Sequence, residues 1–155
     1  MIAFPSTHRK AVRSACPAET EALAADVAGR LVAGDVVLVS GELGAGKTTF
    51  VRGAARALGV RGPVVSPTFT VGARYRGRQV TVAHLDLYRL GNLDDEDPAL
   101  LADYFSGETI AFVEWPERAV EESLGHVVLR VALEHLGGDA RQVTLEWRHG
   151  EGRRP

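Results

Sequence analysis

Eight consecutive residues, Gly41-Glu42-Leu43-Gly44-Ala45-Gly46-Lys47-Thr48, spell G-x-x-x-x-G-K-S/T. The spacing suits the capture of polyphosphate. Glycines let the backbone curl so that successive N–H groups point inward at anionic oxygens. Lys47 supplies a point charge for the outer phosphates, and the Thr48 hydroxyl is a hard oxygen ligand suited to Mg²⁺. The flanks agree with the spelling. Residues 35–40 read as a buried strand entering the loop. Residues 49–58 read as a helix leaving it, closed by Gly59. Phosphates held there sit at a helix N-terminus, where the dipole favours anions. The expected ligand is a nucleoside triphosphate with Mg²⁺, bound by Gly41, Leu43, Gly44, Ala45, Gly46, Lys47, Thr48 and Thr49.

A phosphate loop by itself only binds; hydrolysis needs carboxylates to manage metal and water. Asp86 closes the run Val80-Thr-Val-Ala-His-Leu-Asp86, and Glu114 closes Ile110-Ala-Phe-Val-Glu114. Ligands of open α/β sheets gather at such strand ends, and an acid there is costly to bury without a cation. The alternative for either residue is a solvated strand end. Glu114 is the expected Mg²⁺ ligand with Thr48. Asp86 is the expected group for water, and Lys47, Asp86 and Glu114 form the candidate catalytic set. His84 shares a strand face with Asp86 and either orients it or simply packs. Ser66-Pro67-Thr68 lies between the loop helix and the Asp86 strand. Ser66 and Thr68 there suit a γ-phosphate sensor, or Pro67 merely fixes a hairpin entry. Trp115 reads as core or interface and Trp147 as core. Arg89 and Arg118 either meet transition-state charge or are simply exposed.

The elements that must position these groups follow from pattern. Residues 9–15 suggest an edge strand. Residues 18–33 carry Leu23, Val27 and Leu31 on one helical face, with Gly34 as the stop. Residues 69–75 and 79–87 are β-rich and flank Arg76-Gly77-Arg78, a hairpin signal. The segment 92–97 is acidic, and Pro98 suits the start of a helix running to Tyr104. Residues 109–115 form a second apolar strand. Strands at 126–135 and 141–148 are joined by Gly137-Gly138-Asp139. The order implies an α/β fold: a mixed sheet with a parallel core and antiparallel additions, flanked on both faces by helices.

Length and composition set bounds. The 155 residues suit one domain, expected over 1–149, with a polar frayed tail at 150–155. A net charge of −2 gives no global electrostatic case for direct nucleic-acid binding. Cys16 is the only cysteine, which excludes an intrachain disulfide. No apolar stretch reaches membrane-spanning length, and the N-terminus lacks the core of a signal peptide, so a cytoplasmic protein with no membrane partner is expected.

Four ordered motifs, G-E-L-G-A-G-K-T-T-F, S-P-T-F-T, H-L-D-L-Y-R-L and V-E-W-P-E-R, resemble the bacterial TsaE (YjeE) family of small ATPases over about residues 23–141. The resemblance implies a P-loop NTPase fold with a mixed seven-stranded sheet. It also implies ATP, Mg²⁺ and slow intrinsic hydrolysis in the pathway that makes N6-threonylcarbamoyladenosine at tRNA position 37. The implied partner is the TsaB–TsaD heterodimer, whose TsaD subunit performs the transfer, with tRNA met only through that complex. Residues 43–48 match the family's nucleotide loop, and Thr48 and Glu114 its Mg²⁺ positions. Asp86 matches its acid, Ser66 and Thr68 its switch, and Trp115 the tryptophan after the metal glutamate. Residues 17–20, Gly137 and Arg141 fall where the family approaches the nucleotide from its termini. The acidic segment Asp94-Asp-Glu-Asp97-Pro98 departs from the family's usual Glu-rich helix start.

Other functions remain to be separated. A small-molecule kinase needs an acceptor pocket and usually an Arg-rich lid, yet residues 90–109 contain no Lys or Arg. A GTPase switch needs a guanine-specific N-K-x-D motif, which is absent. A nucleotide-gated scaffold without useful hydrolysis needs the same pocket as an ATPase.

Overall fold

The structure is a computed structural model, and it describes residues 7–67, 70–88, 102–119 and 121–148. Seven strands form one sheet: β1 (Thr7–Ser14), β2 (Asp35–Gly41), β3 (Gly72–Arg76), β4 (Thr81–Asp86), β5 (Thr109–Glu114), β6 (His126–Gly137) and β7 (Ala140–Arg148). Their spatial order is β1-β7-β6-β2-β5-β4-β3. β6, β2, β5 and β4 run parallel, while β7 pairs antiparallel with β6, β1 antiparallel with β7, and β3 antiparallel with β4. The parallel core with antiparallel additions is therefore as the pattern implied. The parallel strands β2 and β5 are apolar and buried almost throughout because both sheet faces are covered.

Alternation along those strands divides the core in two. Val37 and Val39 of β2 and Ile110 and Phe112 of β5 face α1 (Pro17–Ala28) and α2 (Lys47–Ala57). Val36, Leu38, Ala111 and Val113 face the other way. There, short 3-10 turns at Asp103–Phe105, Pro116–Arg118 and Glu121–Leu124 bring Tyr104, Phe105, Ala119 and the buried Leu124 against the sheet. Among the described residues, both α-helices lie on one face. They cross closely: a Cβ on Gly53 of α2 would lie 2.5 Å from the Cα and the carbonyl oxygen of Glu21.

Several boundaries differ from expectation. α1 stops at Ala28, not at Gly34. Leu31 is buried beyond the helix end, and the Asp35 carboxylate accepts the Val32 amide at 2.8 Å, so the chain turns into β2 through Gly34 at φ +98°. α2 begins at Lys47, two residues earlier than expected, because Gly46 in the left-handed region ends the loop there. β3 starts at Gly72, and Asp103–Phe105 is a 3-10 turn. The expectations for Thr68, Phe69 and Arg89, for the acidic segment 94–97 and the helix start at Pro98, and for the tail 150–155 lie outside the described residues. Trp147 is in the core. Among the described residues, no helix is long and apolar enough to cross a membrane.

Candidate nucleotide site

The phosphate loop connects β2 to α2 at the carboxyl end of the parallel core. Gly41, Gly44 and Gly46 have φ of +151°, +78° and +98°. Space as well as conformation restricts Gly41: a Cβ there would lie 2.7 Å from the Leu133 carbonyl oxygen on β6. The first turn of α2 has neither a side-chain cap nor an acidic residue. Its leading amides lack intrahelical acceptors, leaving the positive end of the helix dipole for an anion.

Two cations hold the loop's carbonyls. Lys47 Nζ donates to the carbonyls of Gly41 (2.7 Å) and Glu42 (2.8 Å). Arg141 Nε donates to Ala45 (3.0 Å), its Nη2 to Gly44 (3.2 Å), and its Nη1 to its own turn at Gly138 and Ala140. In a trans peptide the C=O and the following N–H point to opposite sides. Fixing the Ala45 carbonyl on Arg141 therefore turns the Gly46 amide away from that arginine. Arg141, expected near the nucleotide, meets the backbone of the loop itself. Residues 17–20 open α1 just after Ser14, which pairs with Arg141 in the sheet.

The two candidate carboxylates are register partners, Asp86 on β4 beside Glu114 on β5. Glu114, only 3% exposed, meets the loop: Thr48 Oγ1 donates to its Oε1 at 2.9 Å. His84 Nε2–H donates to the same oxygen at 2.8 Å. His84 thus orients Glu114 on the neighbouring strand, not Asp86 on its own. The imidazole is fully buried, and its Nδ1 has no hydrogen-bond partner among the described residues. Asp86 accepts the Ser66 hydroxyl on one oxygen and the Tyr88 amide on the other, at 3.0 Å. Ser66 is therefore tied to the candidate water-handling acid.

Lys47 is 6% exposed. Burial lowers its pKa below the ordinary lysine value, opposed by the negative charges of Glu114, Asp86 and Glu117. Its ammonium lies 4.3 Å from the centroid of the Trp115 ring, which packs against Tyr88 with centroids 4.8 Å apart. Trp115 is half-buried at the margin of the second core cluster. It is the one described non-glycine residue with positive φ, at 57°. That cation–π contact was not foreseen; the only sequence signal was an aromatic directly after a strand-end acid. Leu43 projects from the loop at 74% exposure. The side chain of Arg118 lies outside the described residues.

The donor set fits a phosphate-bound divalent cation. Thr48 and Glu114 offer hard oxygens 2.9 Å apart. Among the described residues, no three His, Cys, Asp or Glu side chains form a metal cage. A pair of oxygens of this kind suits Mg²⁺, which takes one or two protein oxygens and fills its other positions from phosphate and water.

The chain is similar to known proteins over most of its length. A family model described as threonylcarbamoyl adenosine biosynthesis protein TsaE matches residues 14–143. The tRNA threonylcarbamoyladenosine biosynthesis protein TsaE of Bacillus subtilis is 38% identical over 133 residues, covering 86% of this chain and 82% of its own. The protein of the same name from Streptomyces coelicolor is 43% identical over 121 residues, covering 74% of this chain and 81% of its own. Among solved structures, Bacillus subtilis YdiB superposes with a TM-score of 0.73 at 33% identity, over 92% of this chain and 88% of that one.

Proposed function

The chain belongs to the TsaE family, with its P-loop NTPase fold, and we propose that it binds ATP with Mg²⁺ and hydrolyses it slowly in the service of tRNA threonylcarbamoyladenosine synthesis. The observation that supports this reading most is the hydrogen-bonded chain from Thr48 through Glu114 to His84, set beside the loop with Asp86 in register. A bare phosphate-binding loop needs no such chain.

Each residue has a role in this reading. The loop amides and the N-terminus of α2 take the phosphates, with Leu43, Gly44, Ala45 and Gly46 forming the curl and Thr49 the first turn of the helix. Lys47 exchanges its carbonyl partners for phosphate oxygens. Thr48 and Glu114 hold Mg²⁺, which supplies charge neutralisation on the phosphates. His84 fixes the Glu114 carboxylate. Asp86 orients the attacking water, and Ser66 with Thr68 reports the outer phosphate to it. Arg141 keeps the loop shaped before nucleotide arrives, which lowers the ordering cost of binding.

The loop has an exposed Leu43 at its mouth, and a partner docked over it would exclude water from the reacting phosphate. The partner proposed is the TsaB–TsaD pair, which carries tRNA recognition in the cytoplasm, with hydrolysis resetting the complex between rounds.

Two measurements test the reading. Equilibrium titration with MgATP should give tight binding that Lys47→Ala abolishes; equal affinity in that variant would remove the site assignment. In reconstituted tRNA modification, the purified pair with a threonylcarbamoyl donor should cycle repeatedly only when this chain and ATP are present. Equal cycling without them would end the proposed role, and support without ATP turnover would favour the scaffold.

A further inference from the structure

The whole-chain charge of −2 conceals a strong asymmetry. Residues 43–85 contain Lys47, Arg52, Arg56, Arg61, Arg74, Arg76 and Arg78 and no Asp or Glu, so every acid of the chain lies outside that segment. Folding gathers most of these arginines at the β3 end of the sheet. Arg56, Arg61, Arg74, Tyr75, Arg76 and Arg78 line one groove of about 690 Å³. The arginines come from the end of α2, the segment after it, β3 and the β3–β4 turn, and all five are exposed. Arg76 and Arg78 also line an adjoining groove of about 540 Å³ that includes Glu108.

Local carboxylates neutralise only part of this charge. Glu21 engages Arg52 and Arg56, at 3.7 and 3.1 Å. Among the described residues, Arg61, Arg76 and Arg78 have no carboxylate partner, and Arg74 lies over the Tyr104 ring at 5.8 Å. β3 is an edge strand, and a charge or two guards such an edge against pairing. Four uncompensated guanidinium groups converging from three segments exceed that need.

We propose that this arginine groove is a direct, sequence-independent contact for an RNA sugar-phosphate backbone. The proposal goes beyond the ATP reading and does not depend on it. The cations are all arginine, whose planar fork matches phosphate oxygens bidentately and stacks on bases. A protein partner of this surface would call for an apolar, aromatic interface core. The exposed large apolar residues among those described, Val32, Leu43, Val65, Tyr88 and Leu136, do not line the groove.

The test is fluorescence anisotropy of a labelled single-stranded RNA against salt. Four arginines that each displace one counterion give a slope of log K on log salt of about −2.8, taking 0.7 per phosphate. Affinity should then fall about 50-fold between about 50 and 200 mM salt. The triple variant Arg74→Gln, Arg76→Gln, Arg78→Gln leaves Arg61 as the one groove arginine not engaged by a carboxylate among the described residues, and its slope should shrink to about −0.7. The matching Arg→Lys triple should keep the wild-type slope, because counterion release counts charge. No binding at low salt, or a Gln triple that binds like wild type, overturns the proposal. Polyglutamate peptide that competes with the RNA at equal charge and loses binding in the Gln triple overturns it in favour of an acidic protein partner. ATP titration of the same proteins separates the two readings. The Gln triple should bind ATP like wild type, whereas failure of the nucleotide reading removes ATP binding from both proteins and leaves the RNA slopes unchanged.

Discussion

Replacing Glu114 with Gln isolates one negative charge at nearly constant shape. In the native protein one Glu114 oxygen accepts from both Thr48 and His84, in a position only 3% exposed. A hydrogen bond to a charged group contributes about 1.5–3 kcal/mol, against about 0.5–1.5 for a neutral one. Two weakened bonds thus cost about 2 kcal/mol, opposed by relief from burying a carboxylate. The fold should survive with a melting temperature lowered by no more than about 4–8 °C. Function should suffer more. Loss of one charged group at a reacting centre typically costs about 10²–10³ in turnover, so single-turnover hydrolysis should fall by that factor. ATP affinity without Mg²⁺ should remain near wild type, because the loop amides are untouched. The Mg²⁺ concentration needed for half-maximal effect should rise about 10–100-fold. Isothermal titration across a Mg²⁺ series reads this separately from hydrolysis. A Mg²⁺ midpoint and a turnover both equal to wild type would refute the assignment of Glu114.

Three more outcomes are expected. Gly53→Ala places a methyl 2.5 Å from the α1 backbone; the overpacking outweighs the roughly 1 kcal/mol gain in helix propensity, and thermal melting should show a fall of about 2–8 °C. An unchanged or raised melting temperature would contradict the close crossing. His84→Ala removes a fully buried ring and its bond to a carboxylate, so urea unfolding should show a loss of at least about 3 kcal/mol; wild-type stability would show that His84 supports nothing. Because burial lowers the folded-state pKa of Lys47 while the unfolded value stays near 10.5, the folded chain releases this proton first as pH rises. Its contribution to stability therefore grows with pH in the alkaline window below 10.5. Lys47→Met should lack that rise in urea melts compared at neutral and alkaline pH, and parallel profiles for the two proteins would refute it.

Residues that act on near neighbours were legible in the sequence. The loop's glycines, Lys47 and Thr48 are adjacent in the chain, so their joint geometry is local. Asp86 and Glu114 were legible because each ends an apolar run, and parallel strands deliver their ends to one edge. What escaped depends on register between strands. Whether His84 meets Asp86 or Glu114 is decided by the pairing of β4 with β5, which neither strand encodes alone. The end of α1 was misplaced because Gly34 is the stronger breaker in isolation, whereas burial of Leu31 and the Asp35–Val32 bond end the helix sooner. The arginine groove was hidden by averaging, since total charge says nothing about where charge gathers.

The pairing of β1 with β7 also bears on how this molecule is made. Ser14 finds its register opposite Arg141, and β1 has no other neighbour in the sheet. A ribosome adds about 5–20 residues per second, so roughly 7–27 s pass between the synthesis of β1 and the end of β7. Throughout that interval β1 has no strand to join. Its exposed His8, Arg9, Lys10 and Arg13 suit the wait, because charge on an open strand discourages pairing with other nascent chains. Arg141 emerges on the same late strand, so the clamp on the Gly44 and Ala45 carbonyls also waits for β7. Closure of the sheet and completion of the phosphate loop thus depend on one strand, and a chain that ends before β7 holds no clamped phosphate loop.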